Sequence, residues 1–77
     1  SQKITFYPNP VDDIITFDFL NDEGYEVLIF DINGRLLLSK EISSNDNYLD
    51  INHLFSGIYH MQIKSDTKTF TNKIIKN

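Results

Sequence analysis

The sequence predicts an all-β fold, an immunoglobulin-like antiparallel β-sandwich of about seven strands, on three observations. The first is composition. The 77 residues contain no alanine, but eleven isoleucines, six phenylalanines and four tyrosines. Alanine is the best helix former, whereas Ile, Phe and Tyr suit a pleated, half-buried surface. The second is period: apolar residues alternate in short runs, and no segment sustains a 3.6-residue repeat, so no helix is expected. The third is punctuation. Turn signals recur at nearly regular spacing, as in sandwiches of short strands.

The elements follow in order. Ile4 to Tyr7 is a brief first strand, ended by Pro8 and Pro10, which lack backbone donors and bias the residues before them toward extended conformations. Asp13 to Leu20 alternates, with Ile15, Phe17 and Phe19 on one face. Asn21-Asp22-Glu23-Gly24 is a polar turn. Tyr25 to Asp31 carries the continuous run Val27-Leu28-Ile29-Phe30, which suits a central strand with a partly covered outer face. Asn33-Gly34 predicts a type I′ hairpin turn, since both residues tolerate positive φ.

Arg35 to Ile42 returns as the partner strand, with Leu36, Leu38 and Ile42 expected to point one way. Ser43 to Asn47 is a polar loop, and Tyr48 to Ile51 a short strand carrying Leu49 and Ile51 inward. The connection Asn52 to Gly57 holds Leu54 and Phe55, which should tuck under the sheets. Ile58 to Ser65 alternates, with Tyr59, Met61 and Ile63 inward and His60 outward. After a turn at Asp66-Thr67, Lys68 to Lys76 is the last strand, and its pattern leaves open which of Phe70, Ile74 and Ile75 face the core. The expected core is Phe17, Phe19, Val27, Ile29, Leu36, Leu38, Leu49, Tyr59, Met61 and Ile63.

Length allows one domain, with a core limited by a buried fraction of about 60–65% of the unfolded surface. Hydrophobic residues at 40% and charged residues at 23% are ordinary for a folded domain. The net charge of −4, with both signs scattered, argues against nucleic acid, which needs clustered Lys and Arg. No apolar run approaches the ~20 residues of a transmembrane helix, and Ser1-Gln2-Lys3 does not open a signal peptide.

The residues offer little to catalysis. Without cysteine there is no thiol nucleophile or zinc-thiolate site. His53 and His60 fall on different elements, and Ser56-Gly57 reads as turn chemistry rather than as part of a triad. Asp12 and Asp13 are adjacent and point to opposite faces of a strand. Asp31-Ile32-Asn33-Gly34 resembles half of a calcium loop but lacks the remaining ligands. No phosphate-binding glycine loop occurs, so no cofactor and no metal are expected. Tyr25 and Tyr48 are candidates for a sugar-binding aromatic stripe, though strand aromatics more often pack in the core.

Four stretches in fixed order carry more. They are Tyr7-Pro8-Asn9-Pro10 in "FYPNPVDDIITFDF", Asp31 with Gly34-Arg35 in "EVLIFDINGRLLLSKEI", Leu54 with Gly57 and Tyr59 in "LDINHLFSGIYHMQI", and Lys73-Ile74-Ile75-Lys76 in "TNKIIKN". Together they resemble the type A C-terminal sorting domain of the type IX secretion system, over essentially the whole chain. The resemblance implies a sandwich at the C-terminus of a larger secreted protein of a Gram-negative bacterium. It implies a folded label that the outer-membrane translocon recognises after the cargo reaches the periplasm. A surface sortase then cuts upstream of the domain, and the cargo is released or attached to anionic lipopolysaccharide. The label itself is no enzyme.

Two readings of the prolines stand side by side. Pro8 and Pro10 can hold an upstream junction apart from the first strand, and can equally shape a crossing between sheets, and the two are compatible. The C-terminal tail, Lys73 to Asn77, is expected to lie on an open edge, to add little to the fold and to carry recognition, so losing Ile75, Lys76 and Asn77 should cost little folding but much export. The alternatives are an accessory module binding carbohydrate or protein at the cell surface, and a structural spacer.

Overall fold

The computed structural model describes residues 4–19 and 24–77, the side chain of Phe19 excepted. Its strands are β1 (Ile4–Tyr7), β2 (Ile14–Phe19), β3 (Tyr25–Phe30), β4 (Leu36–Ile42), β5 (Tyr48–Asp50), β6 (Gly57–Lys64) and β7 (Thr69–Lys76). They form a three-stranded sheet in the order β1-β2-β5 and a four-stranded sheet in the order β4-β3-β6-β7. All five pairings are antiparallel. The chain is all-β, and its two sheets enclose one core, as a sandwich does.

Alternation builds that core. Ile15 and Phe17 of β2 and Leu49 of β5 face inward from the small sheet. Val27 and Ile29 of β3, Met61 and Ile63 of β6 and Ile74 of β7 face them from the large one. Cross-strand pairing puts Val27 beside Ile63 and Ile29 beside Met61, so the inner faces match residue for residue. The expected burial of Phe17, Val27, Ile29, Leu49, Tyr59, Met61 and Ile63 is found, and Leu38 packs against the core in part. Phe19's side chain and the Asn21–Glu23 part of the expected turn lie outside the described residues. The last strand resolves its own ambiguity: Phe70 pairs with inward Ile63 and Ile74 is buried, so Ile75 points outward.

Leu36 corrects the expectation, since it is 50% exposed. The register of β3 and β4 shifts between Ile29 and Phe30, so that Ile29 opposes Leu38 and Phe30 opposes Leu36. The extra residue, Leu37, breaks the alternation as a bulge does, and it packs against the core while Leu36 joins Phe30 on the outer face. Phe55 is a second correction. It is 88% exposed, and only Leu54 of that connection packs inward.

The hairpin turn is of a different kind from the one expected. Positive φ is confined to Gly34 and Gly57 among the described residues, so Asn33 cannot sit in a type I′ turn. Gly34 N–H donates to the Asp31 carbonyl at 3.0 Å, and Asp31 N–H to the Arg35 carbonyl at 2.9 Å. This is a three-residue loop: a type I turn followed by a glycine in the left-handed region.

A candidate recognition site at one end of the large sheet

The strand directions bring the four singled-out stretches together. The β3–β4 turn, the start of β6 and the end of β7 all lie at one end of the four-stranded sheet, because Phe30 opposes His60 and Gly57 opposes Lys76. Residues 9–12 reach the same end from the small sheet. After Tyr7 the chain leaves β1, touches β7 and returns at Ile14.

That touch is a set of hydrogen bonds. Val11 forms a parallel bridge to Lys76, donating to the Ile75 carbonyl at 2.8 Å and accepting from Asn77 N–H at 2.9 Å. The Asn9 side chain imitates a strand: its amide donates to the Lys73 carbonyl at 3.2 Å, and its oxygen accepts from Ile75 N–H at 3.0 Å. The Asn77 side-chain amide donates to the Asp12 carboxylate at 2.9 Å. Val11 is fully buried. Both Tyr7–Pro8 and Asn9–Pro10 peptide bonds are cis. Pro8 and Pro10 shape a crossing between sheets, since the segment that holds them leaves β1, meets β7 of the other sheet and returns to β2.

The terminal strand is therefore not an open edge where it was expected to be one. Its last residues pair with β6 on one side and with residues 9–12 on the other. Burial of Ile74 ties the same segment to the core. Residues 75–77 are thus hydrogen-bonded to the rest of the fold, contrary to the expectation of a free tail.

The second half of the site is the turn. The Asp31 carboxylate accepts from Asn33 N–H and Arg35 N–H, both at 2.9 Å, and from Arg35 Nε–H at 3.1 Å. The Arg35 N–H bond holds its pKa below the ordinary value, opposed by desolvation and assisted by Asn33 N–H and the Arg35 charge. Arg35 itself is 78% exposed, so the ion pair adds little beyond shaping the loop. These roles leave the Asp31 carboxylate committed to the turn.

Beneath the turn is a shallow pocket lined by Asp31, Arg35, Leu37, His53, Leu54, Phe55 and Tyr59. Tyr59 is buried, and its hydroxyl donates to the Phe55 carbonyl four residues upstream, in the manner of a tyrosine corner. This bond fixes the connection that carries Leu54 and Phe55. Gly57, with φ of +152°, turns that connection into β6. A wider, more polar concavity at the opposite end, lined by Glu26, Glu41, Asp46, Lys64 and Asp66 among others, contains none of the singled-out residues.

The two histidines are not brought together. His60 stands on the outer face of β6 opposite Lys73, whereas His53 lies in the pocket beside inward Tyr59. Among the described residues, no three of His, Cys, Asp and Glu converge to hold a metal. The aromatic stripe is interrupted as well: Tyr25 is 5% exposed and belongs to the core, while Lys40 lies over the Tyr48 ring at 3.9 Å from its centroid. No helix among the described residues is long and apolar enough to cross a membrane.

Sequence reasoning named Asn9 and the terminal strand but missed Val11, which bridges to it, and the bond between Asp12 and Asn77. One signal could have found Val11, an apolar residue placed directly after Pro10 inside a polar linker. Valine is among the residues most often found fully buried.

Residues 5–77 match the family model described as the secretion system C-terminal sorting domain. No curated protein matches the chain.

Proposed function

We propose, since the chain belongs to the secretion system C-terminal sorting domain family, that residues 1–77 form the single C-terminal label of a larger protein exported through the type IX system. A signal of this family sends its cargo to the cell surface or beyond it. In the proposed route the cargo enters the periplasm of a Gram-negative bacterium by its own leader. The outer-membrane translocon then recognises the folded label. A surface sortase separates the two, and the cargo is released or joined to anionic lipopolysaccharide. The label performs no catalysis of its own.

The observation that carries this reading is the family match over 73 of 77 residues (5 to 77). The meeting of its motif residues at one end supports a recognition role for Tyr7, Pro8, Asn9, Pro10, Asp31, Gly34, Arg35, Leu54, Gly57, Tyr59, Lys73, Ile74, Ile75 and Lys76. Within that set we distinguish two roles. Asn9, Asp31, Gly34, Tyr59 and Ile74 shape the end from within. Lys73 and Ile75 face outward from it.

The test fuses the 77-residue chain to the C-terminus of a folded reporter with an N-terminal export leader. The fusion is expressed in a host with the type IX machinery and in one whose translocon is deleted. Reporter outside the first host, and in the periplasm of the second, is the expected result. Equal distribution in both hosts would refute the reading.

A further inference from the structure

We infer that the outer face of the large sheet, at the motif end, docks an acidic protein surface that also carries apolar side chains. This rests on the sorting reading and names the chemistry of the partner that reads the label. The register lays out the patch. Leu36, Phe30, His60 and Lys73 form one row across β4, β3, β6 and β7, and Ile58 and Ile75 form the next row. Partners directly opposite on neighbouring strands stand about 5 Å apart, so these side chains are contiguous.

Leu36, Ile58 and Ile75 are 50%, 47% and 39% exposed, and Phe30 is half-buried. Several exposed apolar side chains contiguous on the solvent side of a sheet mark a candidate interaction surface. Phe55 and Ile32, the most exposed large apolar side chains among the described residues, project from the same end. The opposite end of the same face is of another character, a row of Glu41, Glu26 and Lys64.

Charge selects the occupant. The chain carries −4 overall and so repels acidic partners in general. Lys73 presents a cation on the outer face at the motif end, where the Asp31 carboxylate is drawn into the β3–β4 loop and paired with Arg35. A carboxylate on the partner meets attraction at Lys73. One lysine among aliphatic neighbours is too little for a polyanion such as a glycolipid headgroup, which needs clustered cations. It suits a protein surface, with apolar contacts at the centre and a charge at the rim.

The fusion assay distinguishes the two levels of the argument. Lys73→Glu and Ile58→Ser lie on the outer face and leave the core untouched, as does Glu41→Lys at the far end. With the intact fusion exported, Lys73→Glu and Ile58→Ser are expected to lower secreted reporter about tenfold or more. Lys73→Arg and Glu41→Lys should export as the intact fusion does. All purified variants should melt within a few degrees of the intact chain. Normal export of Lys73→Glu and Ile58→Ser overturns the docking inference while leaving the sorting reading standing. Retention of the intact fusion itself overturns both. A concentration-dependent dimer abolished by Ile58→Ser assigns the patch to a second copy. Binding to vesicles of anionic lipopolysaccharide abolished by Lys73→Glu assigns it to glycolipid. Either assignment refutes the inference.

Discussion

Gly34 holds φ at +86°, and nothing lies within 4 Å of where its Cβ would stand. Any penalty for a side chain there is thus one of backbone, with no clash to confuse it. Gly34→Val is expected to lower stability by about 1–3 kcal/mol in denaturant unfolding, while Asn33→Asp changes it by less than about 0.5 kcal/mol. Equal midpoints for Gly34→Val and the parent would contradict the loop as described. Tyr59 offers a second single-atom test. Its hydroxyl bonds the Phe55 carbonyl, so Tyr59→Phe should cost roughly 1 kcal/mol. Asp31 supplies a pH dependence. Its pKa is lowered from 3.8, so the stability it contributes is fully present above that pH and is lost as pH falls through the lower folded-state value. The difference in melting temperature between the parent and Asp31→Asn should be constant above pH 3.8 and narrow below it.

At the scale of elements, the junction of residues 9–12 with β7 decides how the terminal strand behaves. Asn9 bonds backbone groups on both Lys73 and Ile75, which a methyl cannot do. Asn9→Ala should free the Ile75 amide to exchange and cost about 1–2 kcal/mol, with β3 and β6 unaffected. Unchanged protection at Ile75 would show that the clamp does not hold the strand. This element also marks the boundary of what could be read in advance. Strands such as β3 and β6 were legible because alternation reports directly on the buried face of each. The β4 pattern misled because three consecutive leucines, Leu36 to Leu38, carry no parity of their own, and a single bulge residue decides which faces out. The clamp was illegible for another reason. Asn9 and Ile75 are 66 positions apart, and side-chain mimicry of a strand has no period in sequence. The turn at Asn33-Gly34 lay between: its position was readable, but Asp31's three acceptor bonds select type I over type I′.

For the whole molecule, the account holds that four stretches scattered from Tyr7 to Lys76 form one folded end, built on hydrogen bonds between chain positions far apart. Sequence could place the stretches on strands and turns. Only the order β4-β3-β6-β7, with antiparallel directions, puts them at the same end. If the end is folded as described, the label is presented as a surface and not as a flexible tail. A residue-resolved amide hydrogen-exchange map of the 77-residue chain tests this directly. The account predicts protection at Val11, Arg35, Ile75 and Asn77, whose N–H groups donate to Ile75, Asp31, Asn9 and Val11 respectively. Exchange of Val11, Ile75 and Asn77 at free-chain rates, with Met61 and Ile63 still protected, would show a folded sandwich with a loose terminus and contradict the account.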